Sequence, residues 1–237
     1  MIWRQRQFYK HGWTNSSMSY IRDRAFVLKR QPFNEHDRKY FLYGRSYGLL
    51  IAVARGTSLA RSKQAGHLEP FSQSDVMIAE GKFFDKLAVA RNIQHTPHEN
   101  LGALAIMGSF CDLLISLSRP GISDGRIFDL ISEVRDVCVG FTSEPTKERA
   151  RLILAGSTLK LLDLLGFGPS FEGDLDVSPQ SVTLLKFLRR FPLADAMRVT
   201  VSTDIMEATS SFIENAVSYT PLDKSPHGPI TVHSILE

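Results

Sequence analysis

The hydrophobic pattern of the chain changes its period near residue 92, and this change limits the folds open to it. Before that point lie five short strand-like runs, at residues 21–30, 38–43, 47–54, 68–79 and 83–91. Turn formers separate the runs, including Pro32 and the Gly81-Lys82 pair. Five short strands joined by turns favour a small closed barrel over an open sheet.

After residue 92 apolar residues recur at helical spacing. Ser123 is predicted to cap the second helix, Pro145 to lie in the first turn of the third, and Gly166 to end it. Residues 167–177 are predicted to form a loop. The predicted helices cover residues 97–118, 123–138, 145–165, 179–190 and 203–219.

These patterns predict an α+β chain with an all-helical second half. The barrel domain is assigned to residues 18–91 and the helical domain to residues 92–237. Residues 1–17 lack a sustained period and are predicted to be a disordered tail, or to precede a true start at Met18.

Composition excludes several classes of protein. With 43% hydrophobic and 22% charged residues the chain is of ordinary globular type. No apolar run approaches the roughly 18 residues that cross a bilayer, and no secretory pattern is present, so a cytoplasmic protein without membrane contact is predicted. Its two cysteines, Cys111 and Cys138, are predicted to be buried free thiols, because both lie in apolar helical patterns. No metal or cofactor is expected.

Charge is distributed unevenly along the chain. Residues 18–67 contain ten Lys or Arg against three Asp or Glu, a net charge of +7, whereas residues 92–237 contain twelve against eighteen, a net charge of −6. Such an asymmetry between halves indicates a polyanionic partner for the first half.

A basic loop at residues 55–71 joins two of the strand-like runs. Its small and hydroxylated residues, among them Thr57 and Ser58, would leave backbone amides free to donate to phosphate. The alternative is a solvated surface loop. Oligonucleotide-binding (OB) barrels combine such cations with aromatic rings that stack on bases, and Phe33, in the first turn, is the preferred exposed ring. The predicted phosphate contacts are Lys29, Arg30, Arg38, Arg55, Arg61 and Lys63.

Motifs of common enzymes are not found. The chain has no GxxxxGK[ST], GxSxG or HExxH pattern. Glu35-His36-Asp37 and the pair His95 and His98 come closest to a metal or catalytic site, but turn formation and an acid near a helix N-terminus are the favoured explanations. A non-enzymatic protein is predicted.

Several segments, taken in order, resemble the RecO family of bacterial DNA repair and recombination proteins. In the first half these are residues 25–30 (AFVLKR), 34–38 (NEHDR), Gly48, 53–56 (VARG), 61–63 (RSK) and 68–71 (LEPF). In the second half, residues 127–131 (IFDLI) and 161–169 (LLDLLGFGP) are similar to the helical domain of the family.

The resemblance implies an OB barrel followed by a helical domain. It also implies a recombination mediator of the RecF pathway that binds single- and double-stranded DNA, anneals complementary strands, and works with RecR and the single-strand-binding protein SSB to load RecA, associated with the nucleoid. Many relatives place four zinc-binding cysteines after Pro169, where this chain has Ser170, Phe171 and Glu172. Helix packing is therefore expected to hold this segment.

An alternative hypothesis makes the helical half a protein-interaction module, with the barrel as a docking or dimerisation unit. The family resemblance favours a pocket there for the acidic, apolar-ended tail of SSB. Such a tail needs an apolar groove with a cation at its rim. The residues proposed for it are Phe128, Leu130, Arg135 and Lys160, for which an ordinary core and a solvated face are the alternative explanation.

Overall fold

A five-stranded barrel forms the first part of the chain, as predicted. The structure, a computed structural model, describes residues 19–59, 62, 65–96, 100–172 and 177–220. The barrel strands are β1 (Tyr20–Pro32), β2 (Arg38–Gly44), β3 (Gly48–Ala54), β4 (Gln73–Ala79) and β5 (Asp85–Gln94). They neighbour one another in the order β1-β2-β3-β5-β4, and pairing of β4 with β1 closes the barrel. This five-stranded closed arrangement is the OB fold.

Strand β4 begins at Gln73, five residues after the predicted start at Leu68. The reason is that Leu68 leaves the sheet to fill the barrel interior, where it is fully buried. A short 3₁₀ turn, Ala65–His67, precedes it. Phe71 has a positive φ of 66°, an uncommon conformation for a bulky residue, which turns the backbone before the ladder starts.

Helices form the rest of the described chain, and the third of them, α3 (Lys147–Leu164), lies at their centre in contact with the other five. Gly166, at φ 82°, ends α3 as predicted. The four-residue helix α5 was not predicted, because it is barely one helical turn. The helices are α1 (Leu101–Leu117), α2 (Gly125–Val139), α3 (Lys147–Leu164), α4 (Pro179–Arg190), α5 (Leu193–Ala196) and α6 (Thr203–Ser218).

Three predicted helix starts were wrong. Helix α1 begins at Leu101, after its cap Asn100, and not at residue 97, and the starts of α2 and α3 were wrong by one or two residues. Asp124, not Ser123, caps α2, and its carboxylate accepts from the Arg126 N–H. The backbone at Ser123 instead packs against Gly48. A Cβ on residue 48 would also collide with the carbonyl oxygen of Ile122. Thr146 caps α3, so Pro145 precedes the helix and is not in its first turn.

The outer surface of the barrel shares a hydrophobic core with the helices. Phe26, Phe41, Tyr43 and Leu49 point away from the barrel interior and join the helical core. The Phe26 and Phe128 rings lie 4.8 Å apart between centroids. Because helices cover this surface, aromatic residues that point outward from the barrel are buried as well as those that point inward.

Polar groups also join the two halves. Thr96, which is fully buried, donates to the Phe71 carbonyl (2.8 Å) and accepts from Arg135 Nε (3.0 Å). Both cysteines are buried free thiols, as predicted, and burial raises the pKa of Cys138 to about 12. None of the helices in the described residues has the length and apolarity needed to cross a bilayer.

Candidate nucleic-acid interface

Three connections meet at one end of the barrel, termed the loop end: residues 33–37, 55–59 and 80–84. Asp37 links the first two, because its Oδ1 accepts from the Gly56 N–H at 2.9 Å. The Ser58 N–H donates to the His36 carbonyl at 3.2 Å. The hydrogen bond from Gly56 is the largest cause that lowers the pKa of Asp37 below its usual value. Asp37 therefore builds a turn, in line with the turn explanation of this motif.

The third connection is held against the first by aromatic contact. Phe84 packs edge-on against Phe33, with ring centroids 5.5 Å apart. The buried Asp85 carboxylate accepts from the Gly81 N–H at 3.2 Å. A Cβ on Gly81 would collide with the Phe84 carbonyl oxygen, so this tight turn requires glycine.

A row of side chains crosses the sheet beside the loop end. Lys39 of β2 lies opposite Val53 of β3, which lies opposite Lys86 of β5. Directly opposed residues share one face of a sheet, so both lysines belong to the same outer row. Lys39 Nζ lies 5.1 Å from the Phe41 ring centroid, and burial lowers the pKa of Lys39.

The predicted phosphate contacts fall into three groups. Arg38 and Arg55 lie at the loop end and form no ion pair with any residue that the structure describes. Arg61 and Lys63 lie outside the described residues. The neighbouring Thr57 hydroxyl is buried and donates to the Ala54 carbonyl at 3.1 Å, so it is not available to phosphate.

Lys29 and Arg30 form the third group, in which acidic residues already neutralise the charge. Lys29 Nζ lies 2.7 Å from Asp112 Oδ1 of α1. Arg30 donates to both carboxylate oxygens of Glu69, each at 2.7 Å. A phosphate would have to compete with these carboxylates.

Much of the usual OB binding surface is covered in this chain. OB barrels bind nucleic acid on the face of strands 2 and 3 and on the loops between strands 1 and 2 and strands 4 and 5. On that face Phe41, Tyr43 and Leu49 are buried under the helices. The part that stays open is the loop end together with Lys39 and Lys86, which are half-buried on either side of the buried Val53.

Sequence reasoning missed four residues of this surface: Lys39, Lys82, Phe83 and Lys86. Phe83 is 77% exposed at the loop end, while the predicted Phe33 is half-buried against Phe84. Lys82 is exposed beside Phe83. An aromatic directly after the Gly81-Lys82 turn was the available signal. The position of Lys86 in the lysine row depends on strand pairing and could not be read from the sequence.

The four residues proposed for the tail of SSB do not line an open groove. Phe128 is 3% exposed, and Leu130 and Arg135 are 4% exposed. Arg135 binds Thr96 and the Asp136 carboxylate, while Lys160 Nζ lies 3.0 Å from both carboxylate oxygens of Glu133. In this arrangement they support the packing of α2, and a peptide would reach the first three only if α2 moved.

Among the residues that the structure describes, no group of three or more His, Cys, Asp or Glu side chains could hold a metal ion. His98 and Glu99 lie outside the described residues. The segment after Pro169 is held by packing, as expected: the Phe171 ring lies 6.0 Å from that of Phe212 and 5.2 Å from the Arg189 guanidinium. Residues 173–176 lie outside the described residues.

Comparison with known proteins matches the barrel and much of the helical half to one family. Residues 18–96 match the family model for the N terminus of recombination protein O. The chain is 31% identical over 158 residues to the DNA repair protein RecO of Rubrobacter xylanophilus, and 26% identical over 172 residues to that of Desulforudis audaxviator. These alignments cover 66% and 72% of this chain and 61% and 66% of the relatives. A RecO of Pelotomaculum thermopropionicum is 25% identical over 150 residues, 62% of this chain and 56% of that protein. The chain thus spans less than two thirds of the length of these relatives.

Proposed function

On the premise that this chain belongs to the RecO family, we propose that it is a non-enzymatic mediator of DNA repair and recombination that binds DNA at the loop end of its barrel. Single- and double-stranded DNA are both substrates, because the contacts are to phosphates and sequence preference is slight. Annealing of complementary strands, and work with RecR and SSB to load RecA, extend the proposal and rest on family membership.

One observation carries the proposal. At the loop end, where OB barrels bind nucleic acid, Arg55 and Lys82 are exposed and Arg38 is half-buried, and none of the three has an ion-pair partner among the described residues. Cations nearer the helices are paired with carboxylates. Arg38, Arg55, Lys82 and the lysine row supply charge for several phosphates. Arg61 and Lys63 belong to the same basic loop and add to it.

The test is DNA binding by the double variant Arg38→Glu/Arg55→Glu, measured by fluorescence anisotropy over a range of salt concentrations. The salt slope is the slope of the logarithm of affinity against the logarithm of salt concentration. Loss of two phosphate contacts should reduce its magnitude by about 1.4 for single strands and about 1.8 for duplex. Affinity should fall for every DNA sequence tested. Arg61→Glu/Lys63→Glu tests the remainder of the loop in the same way.

Lys186→Glu on α4 is the control, because it makes the same type of charge reversal at an exposed position of the helical half. Its affinity and salt slope should stay close to those of the unmodified protein. Equal losses in the control and in the loop-end variant would show a non-local charge effect and contradict the proposed surface.

A further inference from the structure

The most exposed aromatic ring in the three connections of the loop end is Phe83, at 77% exposure. An aromatic ring in water gains nothing for stability at this position, since its apolar surface stays unburied. Lys82 Nζ lies 5.7 Å from its ring centroid. The turn therefore presents an apolar ring and a cation together.

The scaffold under Phe83 restricts how the turn can move. Its neighbour Phe84 is packed against Phe33, and Asp85 is buried and hydrogen-bonded to the Gly81 N–H. Both sides of Phe83 are thus anchored. A ring held in this way loses little conformational freedom when it binds a flat partner.

We infer that Phe83 stacks on an unpaired base and makes the loop end prefer single-stranded over double-stranded DNA. Bases in a duplex are already stacked on each other, whereas a single strand can offer the face of a base to the ring. Lys82 is placed to bind the phosphate of the same nucleotide. This inference rests on the proposed function, because it needs DNA at the loop end.

The other rings of the loop end are less suited to the role. Phe33 and Phe84 already use ring surface on each other. On the adjoining face of strands β2 and β3, Phe41 and Tyr43 are buried. The preference for single strands therefore depends mainly on Phe83, with Phe33 as a secondary contact.

The experiment compares the full chain with Phe83→Ala and Phe83→Trp, using a fluorescent oligo-dT and a duplex hairpin of equal length. Phe83→Ala should weaken binding of the single strand about 5- to 150-fold, with duplex affinity changed less than about twofold. The salt slope should not change, since no phosphate contact is lost. Phe83→Trp should retain single-strand affinity.

Phe191→Ala, directly after the C-terminal end of α4, is the matched control, since Phe191 is also an exposed ring, at 44%. It should bind both DNAs as the unmodified protein does. Unchanged single-strand affinity in Phe83→Ala, or an equal loss for both DNAs, would overturn the inference while the proposed function stands. If the unmodified chain bound neither DNA, the proposed function itself would fail, and the inference with it.

Discussion

The loop end and the helix-facing side of the barrel use the same residue types for opposite purposes. On the helix-facing side, Lys29 is paired with Asp112 of α1, and Arg45 with Asp129 of α2 at 2.8 Å. At the loop end, Arg38 and Arg55 have no ion-pair partner among the described residues. The difference arises from the acidic helices, which cover one side only.

Aromatic residues show the same contrast. Phe128 of α2 and Phe26 of β1 are buried against each other, and the Arg45 guanidinium lies 5.2 Å from the centroid of the Phe128 ring. Phe83 has a lysine near its ring in a similar way but remains open to solvent. The cation beside a ring thus supports packing on the helix-facing side of the barrel, whereas at the loop end it is available to a ligand.

Ion pairs between the two halves account for part of the charge asymmetry of the chain. The net charge of +7 on residues 18–67 overstates what the barrel offers to DNA, because acids of the helical half neutralise some of its cations. Part of the asymmetry is therefore complementarity between the two halves. The remainder, at the loop end, is what a polyanion can use.

The largest effect is expected from a change on the helix-facing side. Phe128→Ala removes a buried ring that packs against Phe26, and should lower the free energy of unfolding by about 3–5 kcal/mol, measured by urea denaturation. Phe83→Ala should change it by less than about 0.5 kcal/mol, because the ring is exposed.

DNA binding should respond in the reverse order. Under conditions where Phe128→Ala is still folded, its affinity for a single strand should match that of the unmodified chain. A strong loss of affinity in folded Phe128→Ala would mean that the helix-facing side and the loop end are coupled, and would contradict their separate roles.

A smaller effect is expected from Lys29→Gln. Loss of its partly exposed ion pair with Asp112 should lower the free energy of unfolding by about 0.2–1 kcal/mol. Arg55→Gln should reduce the salt slope for single strands by about 0.7. Lys29→Gln should reduce it less, because Asp112 already holds the ammonium group. Equal slopes in the two variants would show that Lys29 exchanges its carboxylate for a phosphate.

The fold could be predicted from the sequence because its signals are local. Helix α4 has the predicted bounds of 179–190, since Ser178 caps it and Pro179 occupies its first turn. The start of β4 could not be predicted, because Leu68 is drawn into the barrel by tertiary packing. The local pattern places Leu68 in the strand, but burial of its side chain in the barrel interior determines where the residue lies.

The candidate site was less predictable than the fold. The positive charge of the loop is visible in the sequence, but the pairing of Lys29 with a residue 83 positions away is not. Likewise, the burial of Phe128 and Leu130 depends on the barrel surface that α2 covers. Whether a cation or a ring is free for a ligand is set by distant segments, and one sequence does not record those contacts.

The smallest effect is a pH dependence of stability caused by Asp37, whose carboxylate links two connections of the loop end. The pKa of Asp37 is lowered from 3.8 in the folded state, mainly by the Gly56 N–H. Its ionised form therefore stabilises the fold above pH 3.8, and this contribution is lost as the pH falls through the lower folded pKa. The melting temperature of the unmodified chain should exceed that of Asp37→Asn at neutral pH, and the difference should shrink as the pH falls from about 4 to about 2. Glu35→Gln, at an exposed position of the same turn, is the control for the loss of one negative charge. A constant difference between the unmodified chain and Asp37→Asn would mean that the Asp37 charge does not hold the first two connections together.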